Sequence, residues 1–256
     1  MQAEKTRHFW IPVLAGALLT GCGGAKVLKE PQPLPEEIGP VASATATDVD
    51  AQIDWVIVRD GPGTWSRNAD WDEYVMRVRN TGTAPLTITA VSIEDSLGNE
   101  RTALADRKAL VRASKETARL YGDEGIEVKA GMGAGTIVVT GAAAGAAGLT
   151  LGAATLYSSG AAAATALGAI LAAPVIIGGG AIRYRNSSRV HKEIVRRHTE
   201  MPVSLASGES RNVDVFFPIT PSPRQMVLTY EMDGREHELV IDTSAALDGL
   251  HLSVAD

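Results

Sequence analysis

The sequence predicts a mainly β protein, a sandwich interrupted by an α-helical, Ala/Gly-rich insertion, and three observations carry that reading. Two blocks, residues 51–102 and 201–256, alternate apolar and polar side chains with a period of two. Between them, residues 130–182 contain no Asp, Glu, Lys, Arg or His. On either side of that run lie segments whose apolar residues recur with helical spacing. The chain has 256 residues, 24 Lys plus Arg and 30 Asp plus Glu, and its formal net charge of -6 argues against a nucleic-acid partner. A single Cys excludes an intrachain disulfide.

Taken from the N-terminus, Lys5 and Arg7 precede an apolar stretch at residues 9–18, too short for the ~20 residues that span a bilayer. Leu19, Thr20, Gly21 and Cys22 follow. This run resembles the lipobox of bacterial lipoproteins. The resemblance implies that residues 1–21 are a signal peptide cut just before Cys22, that the Cys22 thiol carries a diacylglycerol, and that the new amino terminus carries a fatty acyl chain such as palmitate. Two or three acyl chains, at ~0.8 kcal/mol per buried CH₂, make a lasting anchor. The location implied is the cell envelope, most consistently the outer membrane facing the periplasm. Residues 22–50 are rich in Pro, Gly and small polar residues, which predicts an extended, flexible tether holding the folded part off the bilayer.

In the first block Tyr74, Met76 and Val78 alternate with Arg77 and Arg79, the pattern of a strand with one buried face. Asn80-Thr-Gly-Thr-Ala-Pro predicts a turn, Leu86, Ile88 and Ala90 resume the alternation, and Ser96-Leu-Gly-Asn predicts another turn. In the second block Val213, Val215 and Phe217 share a face, and Asp233-Gly234 is a hairpin signal between residues 226–230 and 239–241. Neither block has enough strands to close a core. One sandwich in two halves satisfies that need, whereas two small β units would leave edges unpaired. Residues 74–88 resemble the strand, Asn-x-Gly turn and strand of many bacterial extracellular immunoglobulin-like domains. The resemblance implies an immunoglobulin-like sandwich, whose ~100 residues match the two blocks combined, and brings no catalytic residue with it.

The insertion covers residues 103–200. Leu104, Leu110, Val111, Ala118 and Tyr121, set among charged residues, predict one amphipathic helix, and Val190, Ile194 and Val195 predict another over residues 187–198. The uncharged run at 130–182 accommodates two helices of about 20 residues, turning at Tyr157-Ser-Ser-Gly, with Pro174 weakening the second. Gly141, Gly145, Gly148 and Gly152 are candidate helix-packing positions, since small residues let helix backbones approach in lipid. The pattern resembles glycine-zipper hairpins of bacterial envelope proteins, which implies a hairpin meeting membrane or another copy of the chain. A tight hairpin buried in soluble protein is the alternative. If both ends of the hairpin stay with the sandwich, the basic cluster Arg183, Arg185, Arg189, Lys192, Arg196 and Arg197 remains outside the cytoplasm, against the positive-inside tendency. Insertion by another route, or seating of this collar on anionic headgroups, would resolve the conflict.

No catalytic constellation emerges. His191 and His198 are seven residues apart without a carboxylate pair, and His237 and His251 stand alone in the sequence. Asp70 and Asp72 flank Trp71 but lack the further oxygen ligands of a Ca²⁺ site. Trp65 and Trp71 could form a sugar-stacking platform or cap the core. No phosphate-binding Gly loop and no Gly-x-Ser-x-Gly elbow is present. The expectation is a non-enzymatic, lipid-anchored bacterial envelope protein without metal or cofactor, with a structural, assembly or interaction role toward itself or another envelope protein. A glycan- or other ligand-binding sandwich on the same anchor is the alternative.

Overall fold

Alternation of side chains turns into strands wherever one face can be buried, and in the computed structural model it does so from residue 42 onward. The structure describes residues 24–34, 39–131 and 179–253. Cys22 with Leu19, Thr20 and Gly21, the glycines Gly141, Gly145, Gly148 and Gly152, and nearly all of the expected hairpin at 130–182 lie outside the described residues. In chain order the elements are β1 (Lys26–Val27), β2 (Ala42–Thr45), β3 (Val49–Ile57), β4 (Ser66–Arg67), β5 (Trp71–Asn80), β6 (Leu86–Glu94) and β7 (Glu100–Thr102). They continue with α1 (Arg107–Asp123), α2 (Gly179–Arg197), β8 (Val203–Leu205), β9 (Ser210–Pro218), β10 (Gln225–Met232) and β11 (Arg235–Asp242).

Two antiparallel sheets face each other as a β-sandwich, and a helical insertion interrupts it. One sheet has the order β2-β3-β5-β9; the other runs β11-β10-β6-β7, with β8 also pairing β6. Each sheet joins strands from both sides of the insertion: β5 pairs β9 from Trp71↔Pro218 to Arg79↔Ser210, and β6 pairs β10 from Glu94↔Gln225 to Leu86↔Met232. Val78 and Val215 accordingly sit in one buried cluster with Tyr74, Met76, Phe217 and Leu228. Each such side chain contributes ~1.5–3 kcal/mol relative to exposure, a gain that neither block could realise without its partner strands.

Local sequence explains the joints. Asp233 and Gly234 both take positive φ, 52° and 70°, as the tight turn from β10 to β11 requires. Asn80, fully buried, replaces missing backbone partners where the chain crosses between sheets: its Nδ2 donates to the Ala84 carbonyl at 2.8 Å, and its Oδ1 accepts from the Gly82 amide at 3.0 Å. Asp95 Oδ1 accepts from the amides of Leu97 and Asn99, both at 2.9 Å, and closes the next turn.

Several expectations need correction. Residues 22–50 do not form a free tether throughout: Ala25 is buried, β1 pairs β4, and β2 and the start of β3 belong to the sandwich. Pro and Gly content signalled absence of helix there, but could not reveal edge pairing supplied from residues 66–67. In β6 a register shift opposite Thr229/Tyr230 turns Val91 and Ile93 inward and leaves Ala90 half-buried, because an extra residue reverses the side-chain phase. The buried stripe of α1 is Leu110, Ser114, Thr117 and Tyr121; Val111 is half-buried, Ala118 is exposed and Leu104 precedes the helix. Helix α2 begins before residue 187, burying Val190 and Ile194 and leaving Val195 52% exposed.

Candidate functional site

The N-terminal half of β5 carries four consecutive buried residues, Trp71, Asp72, Glu73 and Tyr74, so both faces of the strand are covered there. Tyr74 faces the sandwich core, and Trp71 faces away from it into a second buried cluster with Trp65, Phe216, Leu110, Val190, Ile194 and Ala25. Both helices of the insertion therefore dock on the outer face of the β2-β3-β5-β9 sheet. Trp65 meets Phe216 edge-on, with ring centroids 6.4 Å apart, and lies 6.3 Å from Trp71. Such pairs add ~0.5–1.5 kcal/mol beyond the area they bury.

At the edge of this cluster Glu73, only 2% exposed, holds the end of α2. Trp65 Nε1 donates to Glu73 Oε2 at 2.6 Å, and Arg197 Nη1 donates to Glu73 Oε1 at 3.2 Å. The Arg197 guanidinium lies over the Trp65 ring, 5.1 Å from its centroid, and its Nε donates to Glu193 Oε1 at 2.9 Å. Arg196 Nε donates to the other Glu193 oxygen, also at 2.9 Å. Burial pushes the Glu73 carboxyl above the usual carboxylate range, and Arg197 opposes that push. Glu193 moves the other way, to about 2, because hydrogen bonds from Arg196 outweigh its partial burial and Arg197 adds to them.

Helix α1 is held by Ser114. Its Oγ lies 2.6 Å from the Asp70 carbonyl and 2.9 Å from the Leu110 carbonyl, and it accepts from the Ile219 amide at 2.9 Å. Asp106 caps the helix by accepting from the Ala109 amide at 2.7 Å.

Asp72, the neighbour of Glu73, points to the opposite face and meets His251, which is fully buried. His251 Nε2 and Asp72 Oδ2 are 2.6 Å apart, while His251 Nδ1 lies 3.2 Å from the Lys129 carbonyl. The Lys129 amide donates to the His251 carbonyl at 2.9 Å, and Val128 and Leu252 form a bridge. The segment entering the uncharged run is thereby stitched to the end of the described chain. Gly131, at φ 110°, passes so close to Arg59 that a Cβ would meet its carbonyl oxygen at 3.0 Å. Adjacent carboxylates of one strand thus hold the two feet of the insertion, Asp72 the outgoing foot and Glu73 the returning one.

The residues singled out from sequence scatter. Asp70 pairs with Arg59 and does not join Asp72. His191 lies 3.8 Å from Asp106, whereas His198 packs on Phe216 with centroids 6.2 Å apart, so the two imidazoles have different surroundings. His237 stacks on Tyr230, and His251 is not isolated, as the Asp72 pair shows. Trp65 and Trp71 are 3% and 2% exposed, which leaves them no open face for stacking a sugar. Among the described residues no three His, Cys, Asp or Glu side chains gather as metal ligands, and no helix is long and apolar enough to cross a membrane. Sequence reasoning missed both the Asp72–His251 and the Glu73–Arg197 pair. The available signal was the broken alternation of Trp-Asp-Glu-Tyr, two acids flanked by aromatics at the head of a strand that otherwise alternates.

Fold and site define a class, an antiparallel β-sandwich that clamps both ends of a long insertion through one strand. No protein-family model, curated protein or solved structure matches this chain.

Proposed function

We propose that this protein is a lipid-anchored component of a bacterial cell envelope, with a structural or assembly role and no catalysed reaction. The lipobox-like run ending at Cys22 supplies the anchor, and the sandwich presents the uncharged segment between its two clamped feet to the membrane, to an envelope partner or to a second copy. The observation that carries this reading is the burial of Ala25 beside Val190 and Ile194. Only two residues separate Ala25 from Cys22, and α2 begins with the last four residues of the uncharged run, so lipid anchor and apolar segment join the sandwich at the same helix. A sandwich held this way lies at the bilayer instead of being suspended from it. The buried carboxylates and tryptophans serve this role by fixing the feet, because rigid ends limit the directions in which the segment can leave.

The test is purification from detergent-solubilised envelopes, with and without residues 132–178. A stoichiometric envelope partner or a self-associated species that disappears with the segment supports the reading. A monomer without a partner in both preparations counts against it.

A further inference from the structure

Between β1 and α2 runs a groove of about 420 Å³ whose charged lining is Lys26, Lys29, Arg189, Lys192, Arg196 and a single carboxylate, Glu193. The five cations gather on a chain of formal net charge -6, so the patch opposes the character of the whole molecule. Glu193 pairs with Arg196, one of these five, and so leaves the other four cations unopposed by a carboxylate of the lining. Lys26, Lys29, Arg189 and Lys192 are exposed and form no ion pair with any described residue. Arg185, Arg189, Lys192 and Arg196 follow helical spacing, which draws one basic stripe along α2. Arg197, counted with this collar from sequence, instead turns inward to Glu73.

We infer that this groove is a docking surface for the phosphate-bearing headgroups of anionic lipids in the membrane that holds the anchor. The inference rests on the lipid-anchor reading and deepens it. Three observations select this occupant. The positive lining complements phosphate, since Lys and Arg donate to its oxygens and their charge concentrates near an anionic surface. Lys26 stands four positions after Cys22, so an acylated thiol would keep one wall of the groove within a short chain length of the headgroups. The other wall is α2, whose first residues, 179–182, are the last of the uncharged segment, so that apolar segment joins the sandwich at the same groove. Acyl chains would supply the hold and the groove the orientation, pressing one flank of the sandwich onto the surface.

The full chain is placed in lipid nanodiscs of phosphatidylcholine alone, or with phosphatidylglycerol added, and deuterium uptake is followed in peptides covering residues 24–34 and 185–197. Uptake is expected to slow on the phosphatidylglycerol discs. The slowing should vanish in about 1 M salt, where the screening length falls to ~3 Å. In the double variant Arg189→Gln/Lys192→Gln the headgroup effect should weaken about 25-fold in apparent affinity, as roughly fivefold is lost per basic residue. The control Arg112→Gln/Lys115→Gln, exposed on α1, should retain it. Equal uptake on both lipids, or equal slowing on phosphatidylcholine, overturns the inference. Slowing by inorganic phosphate without discs would make this a soluble-anion site and also overturn it. Failure of the chain to remain with discs refutes the anchor alone, because uptake measured with discs in excess still reads the groove.

Discussion

Replacing Arg197 by Met removes the cation from a carboxylate that is 2% exposed, while the Met side chain still covers Trp65. Breaking a buried pair from one side costs ~3–5 kcal/mol. Arg197 itself is 26% exposed, so water reaching its site favours the lower end of that range. A loss of ~3 kcal/mol, at a urea dependence of ~2 kcal/mol per molar, moves the unfolding midpoint down by ~1.5 M. The assay is urea unfolding of the full chain in mild detergent, read by tryptophan emission and acrylamide quenching, since Trp65 loses its cover when α2 lifts. The pH dependence has a definite sign. Without Arg197 the Glu73 carboxyl is raised further, so the variant's deficit is small below the ordinary carboxylate value of 4.5 and widens as pH rises through the elevated folded value. Arg197→Met/Glu73→Gln, which removes the stranded charge, should regain most of the loss. An unchanged midpoint at neutral pH, with Trp65 equally shielded, would show that Arg197 does not hold α2 to Glu73.

The other pair and the remaining parts of the clamp give further expectations. His251→Leu strands Asp72 at 1% exposure and should cost ~3–5 kcal/mol, whereas His251→Asn keeps a donor and tolerates the φ of 62°, so its thermal midpoint should fall less; equal midpoints would disprove the role of the pair. Glu193, lowered to about 2, stabilises the fold above 4.5 and loses that contribution as pH falls toward 2, so Glu193→Gln should flatten acid unfolding over this window by ~1 kcal/mol, read by far-UV circular dichroism. Joining residue 131 to residue 179 through a short Gly/Ser linker should preserve the sandwich, because loop-closure cost varies slowly with length. Removing residues 103–200 should expose Trp65, Trp71 and Phe216 and shift tryptophan emission to the red; equal emission from both deletions would show that the helices cover nothing essential. Gly145→Leu/Gly148→Leu should lower crosslinked oligomer while membrane association holds, since Leu separates backbones but adds apolar surface.

The sandwich was legible because its signals are local and redundant. Val213, Val215 and Phe217 share one face, Asp233-Gly234 names its own turn, and the insufficiency of each block required the pairing seen between β5 and β9. What escaped prediction depends on contacts distant in sequence. Ala90 looks equivalent to Ile88 until the register shift in β6 reverses the phase, and nothing local at residue 90 specifies that shift. Ser114 and Thr117 disguise the buried stripe of α1, because their hydroxyls resemble those of an exposed face until Ser114 finds Asp70 and Ile219. The clamp was the least legible part. Asp72 and His251 are 179 residues apart, Glu73 and Arg197 are 124 apart, and charged residues read singly suggest solvent. Ala25 shows the same limit, since a Pro- and Gly-rich neighbourhood suggests a tether and only the docked α2 gives it a buried place.

The most direct measurement is the mass of the N-terminal peptide from protein extracted from bacterial envelopes. The expected species is a chain beginning at Cys22 that carries a diacylglyceryl group on the thiol and a fatty acyl chain on the amine, with Cys22→Ser accumulating as uncut, unacylated precursor. A mature terminus at another residue, or an unmodified Cys22 thiol on protein that still fractionates with the membrane, would contradict lipid anchoring at Cys22.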